Sequence, residues 1–153
     1  MSSITRPSEY AIRALTYLAL QPPGSFHLAR KIAEDLQIPA TFLTKCLQPL
    51  VARGILGSQR GRHGGFRLLL RPPEISLYQV IDAIEHLERP RTCFLGQAEC
   101  TDERACPMHA FWKAASESFL THLRTSSIED LARFGQRNPH CSYPAPTSVG
   151  GTS

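Results

Sequence analysis

Cys93, Cys100, Cys106 and His109 gather three thiols and an imidazole within 17 positions, in the stretch "CFLGQAECTDERACPMHAFW" that carries no helix or strand pattern until its last few residues. Soft ligands collected on a loop suit metal binding or redox chemistry. Two metal chemistries use such a set: an iron-sulfur cluster, where imidazole can replace one thiolate, and tetrahedral zinc, which also accepts three Cys and one His. No close Cys-x-x-Cys knuckle of the zinc kind is present. Cys106 and His109 lie three residues apart, so both can face one site across the first turn of a helix. The chain has five cysteines in all, an odd count that argues against a disulfide framework. Cys46 reads as a buried small hydrophobe and Cys141 falls in a polar tail; neither is given a role.

The elements that must position this loop follow from periodicity. With 153 residues, 42% of them hydrophobic, the chain can bury one ordinary core with an appendage. No apolar run approaches the roughly 20 residues of a membrane helix, and "SEYAIRALTYLALQ", interrupted by Glu9 and Arg13, does not read as a signal peptide; the expected location is the cytoplasm. Ser8 can cap a first helix running to about Gln21, stopped by "QPPG". A second helix is expected over about 27–37, burying Leu28, Ile32, Ala33 and Leu36, and a third after "QIPA" with Leu43, Leu47 and Leu50 turned inward. Two short helices around a tight turn make a helix-turn-helix. "ILGSQR" and "FRLLL" around the Gly-rich "GRHGG" read as a hairpin, hence a wing. Ser76 caps a fourth helix that Arg89-Pro90 ends. From Pro107 a long helix runs to about Thr125, with Met108, Trp112, Ala115, Phe119 and Leu123 in one stripe. Ser126 with Glu129 forms a capping box for a last short helix, and the Pro/Ser/Gly/Thr-rich residues after Gln136 read as disordered. The long helix carries more apolar surface than a small winged domain can cover, so a two-fold homodimer is expected.

Charge is divided unevenly along the chain. Through Arg71 there are ten Lys/Arg against three acids, and beyond it seven against ten. A basic first half suits a polyanion. On the third helix the outward side chains are Ala40, Thr41, Thr44, Lys45 and Gln48, able to meet base edges in a major groove. Arg60 and Arg62 on the wing can enter the minor groove or hold phosphates. "GRHGG" is not a nucleotide loop, because the Lys-Ser/Thr and the strand-to-helix setting are both missing.

The phrases "SEYAIRALTYLA", "IPATFLTKCLQPLVARGIL", "RGRHGGFRL", "ISLYQVIDAIE" and "CPMHAFWKAASESFL" together resemble the Rrf2 family of bacterial winged-helix transcriptional regulators, over nearly the whole chain to about Phe134. The resemblance implies a mainly α fold with a small β-hairpin wing, a dimer held by the long helix, a double-stranded DNA operator and, in the sensing members, an iron-sulfur cluster. By order and position Cys93, Cys100 and Cys106 match the three cluster cysteines of those members. In one pattern His109 completes a 2Fe-2S site, the preferred reading; in another a carboxylate from the partner chain, here Glu9, serves a 4Fe-4S cluster. The expected organisation is a winged helix-turn-helix DNA-binding domain (1–75), a connecting helix, cluster-binding loop and dimerisation helix (76–136), and a disordered tail (137–153). Two residues depart from the family pattern: Gln37, at a turn position where glycine is usual and a left-handed backbone is required, and Pro49, which removes a hydrogen bond inside the recognition helix.

A DNA-binding regulator, most simply a repressor, is therefore the leading expectation. An iron-sulfur electron carrier would need neither a basic half nor a wing, and a thiol-switch or zinc-structured regulator would use the same loop without a cluster. No nucleophile, base and orienting group fall together, so no enzyme is expected.

Overall fold

Pro7 sits in the first turn of α1 (Arg6–Ala19), where a missing N–H costs nothing. Thr5 is the cap residue, and the acceptor comes from far along the chain: the Glu85 carboxylate takes hydrogen bonds from the Thr5 N–H at 2.9 Å and the Thr5 hydroxyl at 2.8 Å. Ser8, expected as the cap, is instead buried inside the helix and donates to the same Glu85 oxygen at 2.5 Å. The computed structural model describes residues 4–87 and 92–145. Among these residues no helix is long and apolar enough to cross a membrane.

α2 (Ala29–Leu36) and α3 (Ala40–Ala52) form the helix-turn-helix. Gln37 adopts the left-handed conformation the turn demands, with φ 54° and ψ 47°. α2 is shorter than its apolar periodicity suggests, because His27 pairs with the wing: its N–H and carbonyl exchange hydrogen bonds with Phe66 at 2.9 and 2.8 Å. Pro49 lies within α3, and the helix continues past it until Arg53.

The wing is an antiparallel hairpin of β1 (Leu56–Gln59) and β2 (Gly65–Leu68), with Leu56 opposite Leu68 and Gln59 opposite Gly65. Gly65 has φ +115°, and a Cβ there would overlap the His27 carbonyl. Glycine thus lets the hairpin close on residue 27. A single 3-10 turn at Pro72–Glu74 leads to α4 (Leu77–Glu85), capped by Ser76 with Gln79 and ended by left-handed His86, φ 55°. Arg89-Pro90, expected to end this helix, lies outside the described residues.

α5 (His109–Thr125) starts two residues beyond Pro107, and α6 (Ile128–Arg137) follows. The cap of α6 is Ser127 with Asp130, not Ser126 with Glu129. Ser126 is unavailable because its carbonyl accepts from Leu77 N–H while Ile128 N–H donates to Ile75, a bridge that leaves Ser127 at the helix boundary. The core joins α1, α2, α3, the wing, α4 and α6 through side chains such as Leu15, Leu36, Leu47, Leu56, Ile81 and Ile128. α1 is its centre, packed by α3, α4 and α6.

α5 stands apart, resting on α4 with only His109 and Leu123 buried along its length. Phe111 is 63% exposed and Phe119 39%. The first part of the segment expected to be disordered, through residue 145, lies against the fold. Pro144 is buried against α1, with its carbonyl accepting from Arg13 Nε at 2.8 Å, and the Tyr143 hydroxyl lies 3.3 Å from Thr16 Oγ1. Arg13, itself buried, also donates to Leu36 O in the last turn of α2 at 2.5 Å. Composition alone read this segment as solvated, yet an aromatic-proline pair can bury apolar area while the buried guanidinium gives its backbone carbonyl a partner. Residues 146–153 lie outside the described residues.

Candidate metal centre and nucleic-acid interface

The cysteine loop is pinned at both ends to α5. Trp112 Nε1 donates to Thr92 O at 2.9 Å, and the Phe94 ring lies 5.5 Å from the Trp112 ring. A turn closes at once, Gly96 N–H to Cys93 O at 3.1 Å, with Gly96 at φ +79°. At the other end His109 N–H donates to Cys106 O at 2.9 Å, leading into the helix. These anchors bring the four expected ligands together as two pairs. Cys93 Sγ and Cys106 Sγ are 3.9 Å apart, and Cys100 Sγ lies 3.5 Å from His109 Nδ1.

Those separations have a chemical meaning. In tetrahedral coordination with bonds of about 2.3 Å to sulfur and about 2.0–2.1 Å to nitrogen, two sulfurs sit about 3.8 Å apart and a sulfur and nitrogen about 3.5 Å. Each separation is compatible with two ligands of one metal ion and equally with a sulfur hydrogen bond. Among the described residues no three His, Cys, Asp or Glu side chains are grouped closely enough to hold a single ion. The described residues thus offer two donor pairs, Cys93 with Cys106 and Cys100 with His109.

The surroundings of the pairs differ. Cys93 and Cys106 are 6% and 8% exposed. The Gln97 backbone N–H, aided by those of Leu95 and Gly96, holds the Cys93 thiol below its ordinary range against the opposing effect of burial. His109 is buried, with Nε2 2.8 Å from Asp102 Oδ1; Asp102 is 73% exposed and accepts from Lys113 Nζ at 3.0 Å on both oxygens. Hydrogen bonds from His109 first, then Lys113, hold the Asp102 carboxyl below the usual carboxylate range. Sequence reading singled out neither Asp102 nor Lys113, since the loop also carries Glu99 and Glu103 and nothing in spacing marks one acid among three.

Glu9, the alternative fourth ligand, is not among the gathered side chains. Its carboxylate is 3.8 Å from Arg13 NH1, beside the groove that Tyr143, Pro144 and Ala145 line with Ile4 and Ile12. Cys46 is in the core of the helix-turn-helix, where burial pushes its thiol up.

The face expected to read DNA is open. Thr41, Lys45 and Gln48 are exposed along α3 and Leu43, Leu47 and Leu50 are buried on its other side. Thr44 is half-buried and its hydroxyl donates to Ala40 O at 3.0 Å, so it is partly occupied within the helix. Arg60 and Arg62 are exposed on the turn of the wing. A cleft of about 610 Å3 separates helix from wing, lined by Arg30, Thr44, Gln48, Ser58 and Arg60. Arg67, a further wing cation that sequence reading did not pick out, lies over the Phe26 ring at 4.8 Å.

Helix α4 joins the two regions. Arg53, at the end of α3, donates to Asp82 Oδ2 at 3.2 Å, and Asp82 is buried in α4. Arg124 of α5 lies 4.4 Å over the Tyr78 ring of the same helix.

Residues 4–133 match the model of the Rrf2 family, described as iron-dependent transcriptional regulators. The chain is 30% identical over 129 residues to the HTH-type transcriptional regulator NsrR of Shouchella clausii, covering 84% of this chain and 87% of that one. Its fold is similar to that of the global cysteine regulator CymR of B. subtilis (TM-score 0.74, 21% identity, 88% of this chain and 98% of that one). It is likewise similar to IscR of T. potens (TM-score 0.71, 18% identity, 89% and 90%).

Proposed function

Since the chain belongs to the Rrf2 family of transcriptional regulators, we propose that it is a cytoplasmic, homodimeric DNA-binding repressor that senses redox state, nitric oxide or iron through a 2Fe-2S cluster. The observation that carries this reading is the spacing of the two ligand pairs, Cys93 with Cys106 at 3.9 Å and Cys100 with His109 at 3.5 Å. A bound cluster supplies a centre that oxidants, nitric oxide and iron shortage remove. His109 is favoured as the fourth ligand because Nδ1 already faces Cys100; Glu9 would have to reach the cluster from the partner chain.

The chain's own residues connect this site to DNA. Held in place, the four ligands fix the loop against α5, and α5 packs on α4. Asp82 on α4 holds Arg53 at the end of α3. Release of the loop frees α4 and α5 to shift, and with them the recognition helix, whose separation from its partner must match two half-sites. Thr41, Thr44, Lys45 and Gln48 supply base-edge contacts and Arg60 and Arg62 the backbone or minor-groove contacts. The exposed Phe111 and Phe119 give α5 the apolar face on which a second copy seats.

Anaerobic purification followed by absorbance spectroscopy and iron and sulfide analysis tests this proposal. Two irons and two sulfides per chain, with steeply salt-dependent binding to duplex DNA, are expected. Protein that stays colourless after reconstitution would defeat it. One observation favours a second reading: Cys93 and Cys106, 3.9 Å apart and buried together, need only a small approach to form a disulfide. A peroxide would take two hydrogens from the thiols and be reduced to water, giving a cluster-free thiol switch on the same loop. Mass spectrometry of peroxide-treated, iron-free protein distinguishes the two.

A further inference from the structure

We propose that Asp102 is the positioning residue that makes His109 a ligand, by fixing which ring nitrogen carries the proton; this rests on the metal-site reading above. A neutral imidazole has one donor and one acceptor nitrogen, and an ionised carboxylate can only accept. Nε2 lies 2.8 Å from Asp102 Oδ1, so the proton belongs on Nε2 and the lone pair on Nδ1. Nδ1 is the nitrogen that faces Cys100 Sγ, at 3.5 Å.

The segment 100–102 therefore grips both ring nitrogens. Cys100 and Asp102 flank the imidazole, and the Thr101 hydroxyl between them accepts from Arg104 N–H at 3.2 Å. Lys113, one helical turn after His109, donates to both Asp102 oxygens at 3.0 Å, which holds the carboxylate in one rotamer. The imidazole is enclosed, its side chain 10% exposed, so solvent offers little competition for Nε2. A carboxylate behind a metal-binding histidine both fixes the tautomer and raises ligand basicity.

The opposing account is that Asp102 and Lys113 merely tie the loop to α5. Asp102→Ala is expected to fold normally, since the residue is 73% exposed. In the iron-free full chain, imidazole nitrogen NMR of wild type should show His109 protonated on Nε2, and Asp102→Ala should give mixed tautomers. In the reconstituted protein Asp102→Ala should speed iron loss to a chelator by about 10- to 100-fold, and Asp102→Glu should restore most of the retention. In a His109→Cys background the same Asp102→Ala change should leave iron loss unaltered. Equal acceleration in that background, or an unchanged tautomer in the iron-free protein, would overturn the proposal. Failure of wild type to take up iron and sulfide would sink the cluster reading instead, and the iron-free tautomer measurement would still decide the role of Asp102.

Discussion

Replacing Gly65 by alanine should undock the wing. At φ +115° a side chain is strained whatever space surrounds it, and here the new Cβ would overlap the His27 carbonyl, which is backbone and cannot swing aside. Holding alanine in such a conformation costs about 1–3 kcal/mol. Because the new Cβ also displaces His27, the two hydrogen bonds between His27 and Phe66 are lost as well, at about 0.5–1.5 kcal/mol each. The combined loss of about 2–6 kcal/mol is a large share of the about 5–15 kcal/mol that stabilises an ordinary domain. The melting temperature should fall on the order of 10 °C. Gly61 supplies the control: its φ is +103°, but a Cβ there meets open space, so Gly61→Ala carries only the strain of about 1–3 kcal/mol. DNA binding reports the same event separately. A free wing no longer presents Arg60 and Arg62, so at temperatures where both variants are folded the Gly65→Ala salt slope should be shallower by up to about 2, near 0.9 per lost phosphate contact. The assay is a melt by circular dichroism beside a salt titration of duplex binding. Equal effects of Gly65→Ala and Gly61→Ala on both would refute the idea that closure on His27 holds the wing.

Four other outcomes are expected. Cys93→Ala, Cys100→Ala and Cys106→Ala should each lose iron and sulfide while remaining folded dimers, and His109→Ala should alter the absorbance spectrum where Glu9→Ala does not; the reverse pattern would move the fourth ligand to Glu9. Arg62→Ala should weaken operator and random DNA alike and make the salt slope shallower, whereas Gln48→Ala should lower the operator-to-random ratio at nearly constant slope, a base-edge contact being worth about 1–3 kcal/mol of discrimination. Arg53→Met should narrow the difference in operator affinity between iron-loaded and iron-free protein, measured by fluorescence anisotropy, if the tie to Asp82 carries the loop's state to α3. Burial, with the hydrogen bond to Asp35, pushes the Tyr17 hydroxyl up to about 12 from 10.0; a raised pKa stabilises fully below the unfolded value and is lost as pH rises through the folded one, so alkaline destabilisation between those values should be smaller in Tyr17→Phe than in wild type.

How much of this was legible in the sequence varies with the range of the interaction. The helix-turn-helix, the wing and the cysteine loop rest on local signals: apolar spacing in α1 to α3, glycines in "GRHGG", and three cysteines and a histidine within 17 positions. Failures share a cause, a partner distant in the chain. Ser8 looked like a cap because nothing local says that Glu85 will supply the acceptor. Ser126 with Glu129 and Ser127 with Asp130 satisfy the same pattern, and only the pairing with Ile75 and Leu77 decides between them. Polar composition hid the docking of Tyr143 and Pro144, which depends on a buried arginine in the first helix. Asp102 is a loop acid like its neighbours until the fold turns it toward an imidazole.

The dependence of α1 on distant residues bears on how the protein is made. α1 receives its N-terminal acceptor from a residue 80 positions later, and its Arg13 receives the Pro144 carbonyl from 131 positions later. Contacts of such sequence separation form late, since long loops must close first. During synthesis α2 and α3 can cover part of the apolar face of α1, while the rest waits for α4 and then α6 to emerge. A nascent chain halted before α6 should be a chaperone substrate, because part of the face of α1 is covered only by α6 and by the Tyr143–Pro144 segment.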